Sequence, residues 1–319
     1  MKITVIGSGR WGGFIAWYLS GMGHTVTIYG RAESAKFASL RKTRTNGLVI
    51  FNDTVSFCDQ RKQALESAEL VVISIPSQSL RGLMKEISQY PLEGKTVVLC
   101  MKGIEATTGK RLTQVAEEFL TPETGLAIWV GPGHVQDFTA GIPNCMVIDS
   151  NQQKTKELLI EQFSGSLIRF YYGEDLIGNE VGAASKNVIG IAAGMLDGLN
   201  KTALKGALMS RGTREIARLI RAMGGKEISA YGLAHLGDYQ ATVFSEYSHN
   251  RAFGERFVRG EPYGELAEGV ATTKALLRLG EQYSVELPIC RAVDAVIHGG
   301  QAPDKVLSDL FLRSQKAEF

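Results

Sequence analysis

One helix-like stretch carries a charge where a charge needs a reason. Residues 181–196 read V-G-A-A-S-K-N-V-I-G-I-A-A-G-M-L, small and apolar throughout except at Lys186. A helix apolar on all sides is a buried one, and burying a lone ammonium is costly enough to favour the neutral amine. A neutral amine can take a proton from a substrate. The alternative is a helix that bends outward so that the lysine snorkels to water. A second lysine, Lys102, follows the apolar run at residues 96–100 and precedes Gly103. At a strand's carboxyl end it can reach an anionic ligand, or it is solvated surface. Ser248-His249-Asn250-Arg251 gathers polar donors and cations, which suits either a phosphate site or a polar loop.

The other chemistry-bearing stretch is the start of the chain, M-K-I-T-V-I-G-S-G-R-W-G-G. Ile3, Val5 and Ile6 suit a strand buried on both faces. Gly7, Gly9 and Gly12 follow in G-x-G-x-x-G spacing: Gly7 permits the tight turn, Gly9 lets backbone approach a pyrophosphate, and Gly12 lets a helix lie close to the strand. The spacing alone is weak, but its context is a strand before, a helix at residues 14–20 and a second strand at 25–29. A dinucleotide site is therefore expected. After the second strand, Arg31 suits a 2′-phosphate and favours NADP(H), with NAD(H) open because Glu33 could bond a ribose hydroxyl instead.

These residues must be positioned by alternating elements. Strands are expected at residues 70–75, 96–100 and 126–130, with helices at 32–44, 79–89 and 111–120, and residues 47–57 read as two short strands and a turn. Pro76 and Ser77 end a strand, either over the cofactor or merely as its terminator. Runs at 146–148 and 168–171 close the first domain, and the alternation argues for a doubly wound, mostly parallel sheet. From residue 177 strand signals stop. Helices are expected over 203–223, from Glu268, and from Pro288 as the last long one, with a charged tail ending at Phe319. Gly182, Gly190 and Gly194 read as points of close helix packing. The expected domains are residues 1–176 and 177–319.

Composition bounds the function. With 319 residues the chain has room for two cores, and 44% hydrophobic, 21% charged residues and a net charge of +2 describe an ordinary globular protein. The balance argues against nucleic acid or a membrane surface as partner. Cys58, Cys100, Cys145 and Cys290 form no C-x-x-C pair, which points to buried thiols in a reducing compartment and to no metal site. The expected location is cytoplasmic.

Taken with Lys102, Lys186 and Asp238, several motifs resemble the bacterial NAD(P)-dependent glycerol-3-phosphate dehydrogenases. They are G-S-G-R-W-G at 7–12, I-P-S at 75–77, K-G-I-E at 102–105, A-G-I-P at 140–143, S-K-N-V at 185–188, G-L-A-H-L-G-D at 232–238 and E-G-V-A-T-T-K at 268–274. The resemblance spans nearly the whole chain. It implies an N-terminal Rossmann domain and an all-α C-terminal domain of the 6-phosphogluconate dehydrogenase-like type, with a site between them and usually a homodimer. It makes Lys186 the proton acceptor in oxidation of sn-glycerol 3-phosphate to dihydroxyacetone phosphate. Lys102 would touch cofactor and substrate, Asp238 would bond substrate or hold Lys186, and Gly131, Gly133, Ser248, His249 and Asn250 would contact the phosphorylated substrate. Gly7, Gly9, Arg10, Trp11, Gly12, Arg31, Pro76, Val135, His249, Leu266 and Glu268 fall at cofactor positions.

Three positions depart from the resemblance. His249 stands where the family has an arginine, losing a bidentate fork that Arg251 next to it could replace. Gly133 stands for a serine, and Arg10 for a serine beside the pyrophosphate. These leave open a paralogue acting on another small hydroxy acid or polyol phosphate. A non-catalytic nucleotide-binding sensor is a further alternative, against which Lys102, Lys186 and Asp238 argue.

Overall fold

The computed structural model describes residues 1–314, 317 and 318, so Phe319, the expected end of the tail, lies outside the described residues. The chain divides into two compact units, one of residues 1–102 and 110–176, the other of residues 103–109 and 177–319.

The first unit is an eight-stranded sheet in the order β3-β2-β1-β4-β5-β6-β7-β8. The strands are β1 (Lys2–Ile6), β2 (Thr25–Tyr29), β3 (Val55–Cys58), β4 (Leu70–Ile73), β5 (Thr96–Leu99), β6 (Gly125–Val130), β7 (Asn144–Asp149) and β8 (Ile168–Tyr172). Helices α1 (Arg10–Gly21), α2 (Ala35–Thr43), α3 (Arg61–Glu66), α4 (Leu80–Ile87), α5 (Leu112–Glu117), α6 (Val135–Thr139) and α7 (Gln153–Phe163) connect them. Pairings from β3 across to β6 are parallel, β7 runs antiparallel to β6, and β8 is parallel to β7. The strand order reverses between β1 and β4, where doubly wound sheets open a crevice at their carboxyl ends. β4 and β5 are buried at every residue, as parallel strands between helical layers must be. One core cluster joins Ile3, Val5, Phe14, Ile28, Val72 and Trp129.

The second unit is helical: α8 (Leu176–Gly198), α9 (Lys205–Ala222), α10 (His249–Val258), α11 (Glu268–Gln282), α12 (Pro288–Ile297) and α13 (Pro303–Phe311). Short 3₁₀ turns and a π-helical turn at Gln240–Phe244 link α9 to α10. Among the described residues no helix is long and apolar enough to cross a membrane.

The glycines of α8 set how closely its neighbours approach. A Cβ on Gly194 would lie 1.9 Å from the carbonyl oxygen of Arg251, and one on Gly190 2.8 Å from the Thr242 Cγ2. The first is a backbone collision that no rotamer change relieves. Gly194→Ala is therefore expected to lose about 1–3 kcal/mol in urea unfolding, despite alanine's better helix propensity. Unchanged stability would mean that α10 can move away freely.

Three expectations need correction. Residues 47–57 do not make two strands and a turn, because side chains take the backbone groups a hairpin would pair. The Asn46 carboxamide oxygen accepts from Leu48 and Val49 N–H, and Arg44 donates to the Phe51 and Val55 carbonyls. One isolated bridge, Thr45 to Ile50, remains, and β3 pairs parallel with β2. Helix α1 begins at Arg10, inside the glycine motif, since its turns are held by packing on β1 despite glycine's poor helix propensity. Pro288 opens α12 as expected, but the tail does not follow it directly: a further helix, α13, intervenes with Pro303 in its first turn.

Candidate functional site

In the first unit, the motif residues collect at the carboxyl ends of neighbouring strands. Gly7 leaves β1 with φ +115°, and a Cβ there would lie 2.0 Å from the Ser74 carbonyl oxygen at the end of β4. A Cβ on Gly12 would lie 2.0 Å from the Gly7 carbonyl oxygen, so strand, turn and helix are pressed together as the spacing predicts. Gly9 differs, because a Cβ there meets nothing within 4 Å. Its backbone borders open space at the N-terminus of α1, where free N–H groups favour a phosphate. The glycine turn thus fits a dinucleotide pyrophosphate.

Around it stand the other expected residues of this unit. Pro76 precedes the 3₁₀ turn Ser77–Ser79. Lys102, two residues past Cys100 at the end of β5, donates from Nζ to the Gly131 carbonyl at 2.6 Å, tying the loops after β5 and β6. Trp11 lies against Phe14, Trp129 and Phe138, and Val135 is buried at the start of α6. Arg31 is 74% exposed with its Nε 3.7 Å from Glu33 Oε1, a surface pair that costs little to break. Gly133 has φ +133°, and a Cβ there would lie 2.4 Å from the Phe138 ring. That ring is stacked on Phe14 at 4.9 Å, so a side chain at 133 would have to displace aromatic packing.

In the second unit, residues at four-residue spacing on α8 face one segment of chain. Gly182 meets His235, Lys186 meets Asp238 and Thr242, Gly190 meets Thr242 and Asn250, and Gly194 meets Arg251. Lys186 is buried, its Nζ 2.9 Å from Asp238 Oδ2 and 2.7 Å from the Thr242 hydroxyl, to which it donates. Thr242 in turn donates a hydrogen bond from its hydroxyl to the Asp238 backbone carbonyl at 2.8 Å. The helix does not bend outward here, and the lysine does not snorkel. The ammonium has a carboxylate partner, which the apolar run alone did not supply.

The remaining residues frame this group. Ser248 caps α10 by accepting from the Arg251 N–H, and Asn250 Oδ1 accepts from the Gly269 N–H at the start of α11, beside Glu268. His249 Nδ1 is 2.7 Å from the Tyr263 hydroxyl, and Leu266 is exposed. Arg251 is a poor stand-in for the absent arginine, because its Nε and Nη1 are already engaged by the Ser245 carbonyl, Asp197 and Glu255. Buried Lys205 completes that network with Asp197 and the Val243 carbonyl.

Sequence reasoning gave no role to Thr242, His235 or Tyr239. Thr242 had a signal, its place four residues after Asp238. A separate cavity of about 730 Å³ in this unit, bordered by Met195, Leu208, Glu215, Ile289 and Val293, contains none of these residues. Within it, burial pushes the Glu215 carboxyl up to about 7, although its oxygens accept two backbone N–H groups at the start of α12.

Two family profiles match the chain: the NAD-dependent glycerol-3-phosphate dehydrogenase N-terminus over residues 2–156 and the C-terminus over residues 175–308. The chain belongs to the NAD-dependent glycerol-3-phosphate dehydrogenase family. Curated relatives named glycerol-3-phosphate dehydrogenase [NAD(P)+] include one from Chlorobium limicola, 35% identical over 100% of this chain and 99% of its own. Another, from Fusobacterium nucleatum, is 33% identical over 100% and 98%. A crystal structure of glycerol-3-phosphate dehydrogenase from Coxiella burnetii superposes with a TM-score of 0.91 at 26% identity, covering 98% of this chain and 99% of that one. A ketopantoate reductase-family structure from Ralstonia eutropha, with a TM-score of 0.65 at 15% identity over 96% of this chain and all of that one, shares the fold.

Proposed function

We propose that the protein interconverts sn-glycerol 3-phosphate and dihydroxyacetone phosphate with NAD(P). The observation that carries the chemistry is the buried Lys186 amine held by Asp238 and Thr242, in a chain whose other unit has a glycine turn fit for a dinucleotide. The bound nicotinamide supplies or accepts the hydride. In oxidation, neutral Lys186 takes the proton of the secondary hydroxyl; in reduction, its ammonium returns a proton to the carbonyl oxygen. Asp238 favours the ammonium and orients it, while Thr242 fixes one of its N–H directions. We assign Lys102, Asn250 and His249 to the phosphorylated substrate, with Gly131, Gly133 and Ser248 shaping its surroundings. Gly7, Gly9, Arg10, Trp11, Gly12, Arg31, Pro76, Val135, Leu266 and Glu268 go to the cofactor, with Lys102 and His249 shared. We place the dinucleotide domain at residues 1–176 apart from 103–109, which belong to the second unit, and the substrate domain at 177–319, in a cytoplasmic homodimer that supplies glycerol phosphate to phospholipids.

The test is reduced-cofactor absorbance with dihydroxyacetone phosphate, dihydroxyacetone and pyruvate, each with NADH and NADPH. Oxidation of reduced cofactor by dihydroxyacetone phosphate alone is the expected result, and activity with pyruvate alone would overturn the assignment. We read Arg31 as the 2′-phosphate ligand. Arg31→Ala should raise the KM for NADPH by about tenfold, a loss of about 1.4 kcal/mol, and leave NADH nearly unchanged; equal losses would point to Glu33 and a ribose contact.

His249 favours a second reading, a substrate with less phosphate character, because an imidazole with one nitrogen on Tyr263 lacks the bidentate fork of a guanidinium. His249→Arg is expected to lower the KM for dihydroxyacetone phosphate severalfold. An unchanged KM places the imidazole away from the phosphate.

A further inference from the structure

We propose that His235 and Tyr239 act as positioning residues for the Lys186–Asp238 pair, a clamp whose single proton arrangement fixes α8 against the turn that carries Asp238. The proposal rests on the proton-relay reading of Lys186 and goes beyond it, since neither residue touches a reacting atom.

His235 is fully buried, with Nδ1 2.8 Å from the Gly182 carbonyl and Nε2 2.8 Å from the Tyr239 hydroxyl. A carbonyl only accepts, so Nδ1 carries the proton; a neutral ring then has a bare Nε2, which accepts the Tyr239 O–H. The reverse tautomer would set two acceptors face to face at Gly182. A doubly protonated ring would force the Tyr239 proton elsewhere, and Thr213 Oγ1 at 3.5 Å is a poor alternative. Burial also pushes His235 down to about 4, so the ring is neutral through the working range. The charged groups acting on it are Lys186 on α8 and Asp238 in its own turn; Tyr239 in turn senses Glu215 on α9 and Cys290 on α12.

The clamp's position gives it its effect. Gly182 lies one helical turn before Lys186 on the same face of α8, and the Asp238 N–H bonds the His235 carbonyl at 3.0 Å in a 3₁₀ turn. The two elements therefore meet at two adjacent rungs, imidazole on carbonyl and carboxylate on ammonium. The first is rigid and sets the register of the second, whose long lysine stem could otherwise reach several arrangements. Gly182 is the residue that admits the ring, since a Cβ there would lie 3.0 Å from the His235 Cβ.

The test compares His235→Asn, whose amide can still donate to Gly182, with His235→Leu, which fills similar space without a donor, and with Tyr239→Phe, which removes only the hydroxyl. His235→Leu is expected to lower kcat for dihydroxyacetone phosphate reduction by on the order of 10- to 100-fold, as small misplacements of a reacting group do, with NADH binding unchanged. His235→Asn should recover much of this, and the acid limb of glycerol 3-phosphate oxidation should move in the leucine variant and in Tyr239→Phe. Equal losses in the asparagine and leucine variants with an unmoved limb would reduce His235 to core filling. Imidazole nitrogen NMR of the unmodified protein gives a readout independent of activity: a proton on Nδ1 and no titration near pH 6.5 are expected, and an Nε2–H tautomer sinks the clamp. An unmodified enzyme inactive on dihydroxyacetone phosphate but with the expected tautomer would overturn the substrate reading and leave the clamp standing.

Discussion

Lys186→Met is expected to lower turnover in both directions by on the order of 10² to 10⁴-fold, the range for losing a positioned general acid–base. Methionine keeps most of the stem's volume and apolar surface, so the packing of α8 is retained while the titrating nitrogen is lost. Dinucleotide affinity, read by fluorescence quenching of NADH, should stay within about twofold, because the glycine turn at residues 7–12 belongs to the other compact unit. Such a split would separate binding from chemistry and remove the nucleotide-sensor alternative. Turnover within about tenfold of the unmodified enzyme would assign the proton to another group. The variant also leaves the Asp238 carboxylate, 1% exposed, without its cation. Stability should therefore fall, more at high pH than at low, where the stranded carboxyl can take up a proton.

The parts of this site that were legible in the sequence are those whose signal is local. The glycine turn is a run of six residues whose backbone demands show in residue type. Lys186 stood out because it is the one charge in the apolar run at residues 181–196. What stayed hidden depends on partners far along the chain. Thr242 is 56 residues from Lys186, and His235 is 53 from Gly182, so their partners cannot be read from their own neighbourhoods. The four-residue spacing of Gly182, Lys186, Gly190 and Gly194 was in plain view, and it traces the face of α8 that receives the 235–251 segment. The hairpin expected at residues 47–57 failed for the opposite reason. There Asn46, Asn52 and Arg44 drew the backbone into side-chain hydrogen bonds. The missing serine at 133 and the missing arginine at 249 were visible as departures. What surrounds those positions was not, since it is a ring stacked on Phe14 in one case and the Tyr263 hydroxyl beside the imidazole in the other.

Asp238→Asn should separate the two jobs of that carboxylate. The amide has the same shape and can still accept from Lys186, so orientation is largely kept and only the charge is removed. Without it the buried ammonium loses its counterion, and the neutral amine becomes the cheaper form. Reduction of dihydroxyacetone phosphate needs the ammonium as proton donor, so its rate near pH 7 should fall by about tenfold or more. Oxidation needs the amine, so its acid limb should move toward lower pH. Stability gives an independent check. An unfolded lysine holds its proton up to about pH 10.4, whereas the variant's folded state would have released it. The unfolded state then binds more protons, and stability must rise with pH until the unfolded lysine also titrates. Breaking a buried pair costs about 3–5 kcal/mol, so the deficit against the unmodified protein should be of that order near pH 7 and shrink on approach to pH 10. If urea midpoints show a constant deficit over that range, and the acid limb of oxidation stays in place, Asp238 is not the counterion that governs the Lys186 proton.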